Sequence, residues 1–401
     1  MENNDQLISH ALKPDFENTK VAFSQKSDIA LKKSYLLFSS MNNSTLVGFG
    51  TGMVSKLLQW KFPIKSIIKK TLFEQFCGGE DRDDCDRVIA ELGAAGIGTI
   101  LDFAVEGATD EKGFERTEKE TIANIKKSSG SEHIPFCVFK PTGLGPNKVL
   151  EKLHIREKLS ESEQVAYNRM YQRFERICNA AAKNKVKLLI DAEETWLQNP
   201  LDDIIYQMME KYNKDEPIIF NTFQLYCKDK LAQLKQANEL AQQKGFKLGA
   251  KLVRGAYMEK ERERAKRKGY PSPIQPNKDA TDQDYNAALR YCIENIGQIA
   301  VLNGTHNEKS NYFLVELMEK ASLAHNDKSV YFAQLYGMSD HISYNLSHAG
   351  YNVAKYVPYG PVQAVMPYLF RRAEENTSIA GQSSREFNLI KKEMKRRKKD
   401  K

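Results

Sequence analysis

Arg371 and Arg372 are adjacent, and Glu375 follows four and three residues on. On a helix that spacing lets the carboxylate reach both guanidiniums. One positive charge is left in excess, which suits a small carboxylate held by two parallel hydrogen bonds. The competing use of such a triplet is a surface ion pair worth little. His306, in Thr305-His306-Asn307, is the one histidine that directly follows an apolar run. The other six are His10, His133, His154, His325, His341 and His348, and they lack ligand spacing. His341 and His348, seven apart, read as one structural helix face. No three ligands present themselves for a catalytic metal, so the candidate site contains none. Neither a serine elbow nor a Cys/His dyad is apparent. The chemistry therefore points to an organic cofactor.

These groups need elements to bring them together. Eight apolar runs recur through the chain: Thr99–Val105, Pro135–Lys140, Val186–Glu193, Ile218–Tyr226, Lys247–Gly255, Ile299–Thr305, Val330–Gly337 and Asn352–Gly360. Amphipathic stretches such as Ser162–Lys183, Lys228–Lys244, Asp282–Asn295 and Asn307–Leu323 lie between them. Strands that alternate with helices imply parallel pairing with helical crossovers. Eight such repeats predict an α/β fold of the (β/α)8 type, a TIM-like barrel with an N-terminal helical arm. A doubly wound sheet would carry a dinucleotide glycine fingerprint. Gly48-Phe49-Gly50-Thr51-Gly52-Met53 fails it at Met53, and Gly93-Ala94-Ala95-Gly96-Ile97-Gly98 has the wrong spacing, so both read as turns.

A barrel builds its active site at the C-terminal ends of its strands. The run ends supply Asp102 and Glu106, Lys140, Asp191-Ala192-Glu193, Gln224 and Tyr226, then Lys251 and Arg254-Gly255-Ala256-Tyr257. Thr305-His306, Leu335-Tyr336-Gly337 and Tyr356 complete the ring. One polar strand end is usually a loop residue. Eight in succession are costly to desolvate without a common purpose.

Charge and cysteine usage narrow the rest. Of the formal net charge of +8, residues 391–401 hold +6, from eight Lys/Arg against two acids. The remainder is nearly neutral, which does not suggest a nucleic-acid-binding protein. The six cysteines show no paired spacing and read as reduced thiols. No secretory signal is seen at Met1-Glu2-Asn3-Asn4-Asp5. The uncharged stretch Ser34 to Ser55 is interrupted by Asn42-Asn43-Ser44 and glycines and is not read as membrane-spanning. Residues 1–95, with Leu57, Leu58, Trp60, Phe62, Ile64, Ile67 and Ile68 at helical spacing, are the helical arm. Residues 96–380 are the barrel, and 381–401 a basic tail.

Lys251-Leu252-Val253-Arg254-Gly255-Ala256-Tyr257, with Lys278, Thr281-Asp282 and Tyr285, resembles the flavin-binding stretch of proline dehydrogenases. So do Thr305-His306-Asn307 and Tyr356-Val357-Pro358-Tyr359-Gly360-Pro361, continued as Pro367-Tyr368-Leu369-Phe370-Arg371-Arg372-Ala373-Glu374-Glu375-Asn376. The ordered set covers about two thirds of the chain, from Asp102 to Asn376.

The resemblance implies a distorted barrel that holds FAD and oxidises L-proline to Δ1-pyrroline-5-carboxylate, with a membrane quinone as electron acceptor. It places Asp191, Lys251 and Lys140 at the chemistry. Lys140, Tyr356, Tyr368, Arg371, Arg372, Glu375 and Leu335 would contact substrate. Ala192, Gln224, Lys251, Val253, Arg254, Gly255, Ala256, Tyr257, Lys278, Thr305 and His306 would contact the flavin. Asp102 and Glu106 match acids beneath the substrate. Lys251, where many bacterial members have Arg, suggests a eukaryotic-like branch, and the length of the chain suggests a monofunctional member, without the aldehyde dehydrogenase of bifunctional relatives.

Tyr356 is bulkier than its counterpart in hydroxyproline dehydrogenases, the close alternative. A protein acting through its basic tail on anionic lipid or nucleic acid is the alternative from another class. The reading implies a cytoplasmic enzyme in peripheral contact with a membrane, or a mitochondrial matrix one, with no specific nucleic-acid partner.

Overall fold

The computed structural model describes residues 13–41, 69–105, 108–378 and 382–400. Eight parallel strands close into a barrel in chain order. They are β1 (Ile97–Phe103), β2 (Phe136–Phe139), β3 (Lys187–Ile190), β4 (Ile219–Gln224), β5 (Leu248–Val253), β6 (Ile299–Gly304), β7 (Val330–Leu335) and β8 (Val353–Tyr359). β1 closes on β8 through seven register pairs, from Ile97 with Val353 to Phe103 with Tyr359. All eight expected runs are strands. β4 and β8 are buried along their whole length. Strands covered by helices outside and side chains inside must be apolar on both faces, which is why these runs do not alternate.

Two apolar layers hold the barrel. Inside it, Ile100, Phe136, Val138, Leu189, Phe220, Ala300, Leu302, Ala333, Ala354 and Tyr356 fill the lumen. Phe136 meets Phe220 and Tyr331 edge-on, at 5.5 and 4.8 Å between ring centres. Lys187 covers the same two aromatic residues, 5.6 Å from Phe136 and 5.0 Å from Tyr331. The strands' N-terminal end is thus plugged, and polar chemistry is left to the other end. Outside, the helices bury Phe174, Ile177, Leu201, Ile205, Leu289 and Leu314 against the sheet.

The helices begin where local chemistry starts them. Ser160 accepts from the Glu163 amide at 3.3 Å while Glu163 accepts from the Ser160 amide at 2.9 Å, a reciprocal cap on Glu161–Asn184. Lys185 ends that helix in the left-handed region, at φ 53°.

The terminal segments and one glycine run take a definite form. The described part of the N-terminal arm packs on the barrel. Phe16 belongs to the main core, and its amide donates to Tyr312 Oη at 3.0 Å. Residues Leu57 to Ile68 and Gly48 to Met53 lie outside the described residues. The basic tail is a helix, Gln382–Lys399, packed antiparallel to Asp28–Met41. Tyr35 stacks on Phe387 at 4.9 Å, and Arg397 donates to Asp28 at 2.9 Å and to the Phe23 carbonyl at 2.8 Å. Of the second glycine run, Gly93 is helical and Gly98 lies within β1, leaving only Ala95-Gly96 as a turn.

The terminal helices make a second apolar cluster with Phe73, Phe76, Val365, Met366, Tyr368 and Leu369. All six cysteines are free and buried. Burial pushes the Cys85, Cys137 and Cys227 thiols up to about 12, so they are inert at neutral pH.

Candidate active site

The strand ends deliver two groups of side chains. The first is built on β3, β4, β5 and β6. Lys251, on β5, is buried and donates to Asp191 Oδ1 at 2.5 Å across the barrel mouth. Its ammonium also lies 4.5 Å from the centre of the Tyr356 ring on β8. A charge taken from water needs such partners, and an aromatic face is one.

Arg254 is held on three sides. It donates to Asp282 at 2.8 Å, Thr305 Oγ1 at 2.6 Å and Ser310 Oγ at 3.0 Å, and lies 4.3 Å from the Tyr285 ring. Lys278 is exposed and meets this group only through its pair with Asp282. The next residue, Gly255, has φ 138°. A Cβ there would sit 2.4 Å from the Tyr226 ring, so only glycine fits. Val253 ends β5, and Ala256 and Tyr257 follow in the loop.

Gln224 donates to the Glu193 carbonyl at 2.7 Å and fixes the loop after β3, next to buried Ala192. Glu193 was expected at this strand end, without an assigned role. It accepts from Thr142 twice, at 2.7 Å from the hydroxyl and 3.2 Å from the amide, and from Tyr257 Oη at 3.4 Å. Burial raises its carboxyl to about 7. Thr142 is two residues past Lys140, so Glu193 pins the loop that carries Lys140. The triplet Asp191-Ala192-Glu193 was visible in sequence, but its partner in the turn after β2 was not.

His306 follows β6, and its Nδ1 lies 2.9 Å from Ser339 Oγ. Burial, then the cations Lys355 and Arg372, hold its imidazole down at about 3. It is therefore neutral at physiological pH.

The second group rides on β8 and the helix Met366–Ser378. Arg372 is buried, with its guanidinium 5.0 Å from the Tyr368 ring. Arg371, one residue before, is half-buried. Leu335 closes β7 beside this group and packs against the second apolar cluster. Tyr356 is buried, and its hydroxyl has no hydrogen-bond partner among the described residues. Nearby Asp191 and Asp102 add to burial in raising that phenol. The Glu375 side chain and Glu106 lie outside the described residues. The two groups meet at His306, whose imidazole feels Arg372 from one and Arg254 from the other.

The family model for proline dehydrogenase matches residues 85–385. The chain belongs to the proline dehydrogenase family. It is 37% identical over 322 residues to the carbapenem antibiotics biosynthesis protein CarD of Pectobacterium carotovorum, covering 80% of this chain and 83% of that protein. It is 42% identical over 243 residues to human mitochondrial proline dehydrogenase 1, covering 60% of this chain but only 40% of that protein. Hydroxyproline dehydrogenase of Xenopus laevis is 31% identical over 418 residues, covering 94% of this chain and 88% of that protein. Among solved structures, proline utilization A of Bdellovibrio bacteriovorus superposes with a TM-score of 0.71 at 20% identity, over 90% of this chain and 38% of that one. That likeness carries the barrel fold. Among the described residues no cluster of His, Cys, Asp or Glu could hold a metal ion.

Proposed function

We propose that this chain oxidises L-proline to Δ1-pyrroline-5-carboxylate, the first step of proline catabolism to glutamate, using FAD and passing electrons to a membrane quinone. The observation that carries this reading is the Lys251–Asp191 pair beneath the Tyr356 ring, at 2.5 Å and 4.5 Å. A cation, an acceptor and an apolar face meet there, and a small amphoteric ring needs all three.

The mouth also fits a flavin. Gly255 lets the loop after β5 pack closely on the Tyr226 ring, and Arg254 is a cation held rigid by three hydrogen bonds. Gln224, Thr305 and neutral His306 add polar groups around it. Bound FAD would supply the hydride acceptor. The chain's own residues do the rest. Arg371 and Arg372 grip the carboxylate, with the Tyr368 ring packed under Arg372. Tyr356 covers the substrate ring, and Leu335 walls one side. Glu375 assists from the same helix. Asp191, Lys251 and Lys140 stand where the ring nitrogen must lose its proton. Orientation is the main contribution, since it turns an encounter into a positioned reaction.

Peripheral contact with a membrane is supported by Lys391, Lys392, Lys395, Lys398 and Lys399, all exposed on the C-terminal helix. Each such charge near anionic lipid is worth about 1 kcal/mol. No described helix is long and apolar enough to cross a membrane. The mitochondrial names of the fly, worm and human relatives support a matrix location, whose bacterial counterpart is the cytoplasmic face of the cell membrane. A second reading, hydroxyproline oxidation, is favoured by the long match to the Xenopus protein. The bulk of Tyr356 argues against it. A role resting only on the basic segment is weakened by its docking, which uses Arg396 and Arg397 internally.

Acid denaturation of the yellow protein should release FAD, and anaerobic L-proline should bleach the bound flavin. Release of FMN, or bleaching by trans-4-hydroxy-L-proline alone, would overturn the corresponding part.

A further inference from the structure

The C-terminal helix reaches the barrel mouth through one residue. Glu386, on that helix, is 4% exposed. Its Oε2 accepts from the backbone amide of Ser339 at 3.1 Å. The hydroxyl of the same Ser339 lies 2.9 Å from His306 Nδ1. Three sequence-distant groups are thus in series: a carboxylate on the last helix, a peptide and hydroxyl before the helix Asp340–His348, and an imidazole after β6.

The middle member is held in an uncommon shape. Ser339 has φ 52° and ψ 42°, a left-handed conformation that costs a non-glycine residue energy unless its surroundings fix it. Glu386 supplies such a fixture by taking the Ser339 amide. The neighbourhood is crowded with charge. His341 Nδ1 is 3.8 Å from Glu386, and Lys355 donates to Asp340 at 2.8 Å and to the Met338 carbonyl at 2.5 Å. Burying an acid there is expensive, and an apolar residue would pack at lower cost. What the carboxylate adds is direction: it sets the Ser339 peptide, and through it the hydroxyl that faces His306.

We propose that Glu386 is a positioning residue for His306, acting through Ser339 to hold the imidazole in one orientation and one neutral tautomer at the cofactor side of the mouth. The functional part rests on the flavin reading given above. The orientation itself is a property of the protein alone, and the two can fail separately.

Histidine-selective 15N labelling reads the tautomer directly in flavin-free protein. The seven histidines give few signals, and His306→Gln identifies the one in question. Native protein should show His306 as a single neutral tautomer. Ser339→Ala removes the hydroxyl and keeps the peptide, and it should give a mixture of tautomers. Glu386→Ala should give the same mixture. Glu386→Gln, whose side-chain carbonyl can still accept from the Ser339 amide, should restore the native signal. If Glu386→Ala does not fold, Glu386→Asp replaces it, since its shorter reach must also disturb His306.

A His306 signal unchanged in either Ser339→Ala or the folded Glu386 variant overturns the proposal. Titration of FAD into the same apoproteins should show roughly 10-fold weaker binding for Ser339→Ala and Glu386→Ala, with no further loss in the double variant, as expected for groups coupled in series. If native protein takes up no FAD, the flavin reading fails, while the tautomer result still decides the orientation.

Discussion

The two halves of the barrel mouth are supported in different ways. The β5–β6 half carries Lys251, Arg254, Thr305 and His306 on strand ends that belong to the closed sheet. Arg254 is held there by three hydrogen bonds, and Lys251 pairs with Asp191. The other half, with Tyr368 and Arg372, sits on a helix packed into the second apolar cluster. Leu31 and Phe38 of one terminal segment and Leu389 and Ile390 of the other complete that cluster. The first half is preorganised by the barrel. The second depends on parts of the chain outside it. A site divided in this way can hold a cofactor rigidly while its substrate side is tuned from elsewhere.

The sharpest way to break the comparison is Arg372→Ala. If the substrate half is separable, the apparent KM for proline should rise by about 2–5 kcal/mol equivalent, the cost of removing one partner of a desolvated charge pair. FAD content, measured by absorbance after gel filtration, should stay native. Loss of flavin would show that the halves are one unit.

The next largest effect tests the fixed half. Glu193 titrates near 7 in the folded protein against an ordinary value of 4.5. Between those values the unfolded chain binds fewer protons than the native one, so stability falls as pH rises through that window. Glu193→Gln removes this term. At pH 8 it should be more stable than native by up to about 3 kcal/mol, and below pH 4.5 the two should be alike. Denaturant midpoints at both pH values check it, and a gain that persists in acid would refute the assignment.

Tyr356 stands at the seam, and the smallest effect is expected there. Tyr356→Ser opens room for a ring hydroxyl. The ratio of kcat/KM for proline over hydroxyproline should fall by roughly one to two decades, within the 10–200-fold range of pocket discrimination. A fixed ratio with a lower melting temperature would make Tyr356 a core residue only.

The same division explains what the sequence revealed. The eight strands were legible because buried parallel strands are short apolar runs that end in polar residues. Lys251, Arg254 and His306 follow from that punctuation. Glu193 does too, but its role does not, because that depends on Thr142 in the turn after β2. The C-terminal helix was less legible for another reason. Glu386, Leu389, Ile390, Glu393 and Arg397 recur at helical spacing, but the lysines around them dominate the composition. Glu393 proves to be fully buried, paired with Arg396 and Arg397 at 2.8 Å. Charge count alone cannot distinguish a solvated tail from a helix whose acids face inward. The link from Glu386 to His306 spans three distant segments and leaves no local pattern at all.

Arg397 donates to the Lys26 carbonyl, a bond that spans 371 residues of sequence. Closing a loop of that length before anything else has formed is entropically unfavourable, although the cost grows only slowly with length. The barrel shortens it. Seven of the eight pairings join strands adjacent in the chain, so most of the sheet can zip through contacts of modest separation before β1 closes on β8 and brings the two terminal helices within reach. The clasp between them then forms on a scaffold already made. The order of assembly would therefore run from the barrel to the clasp of terminal helices, and the last contacts to form would be the first to open under strain.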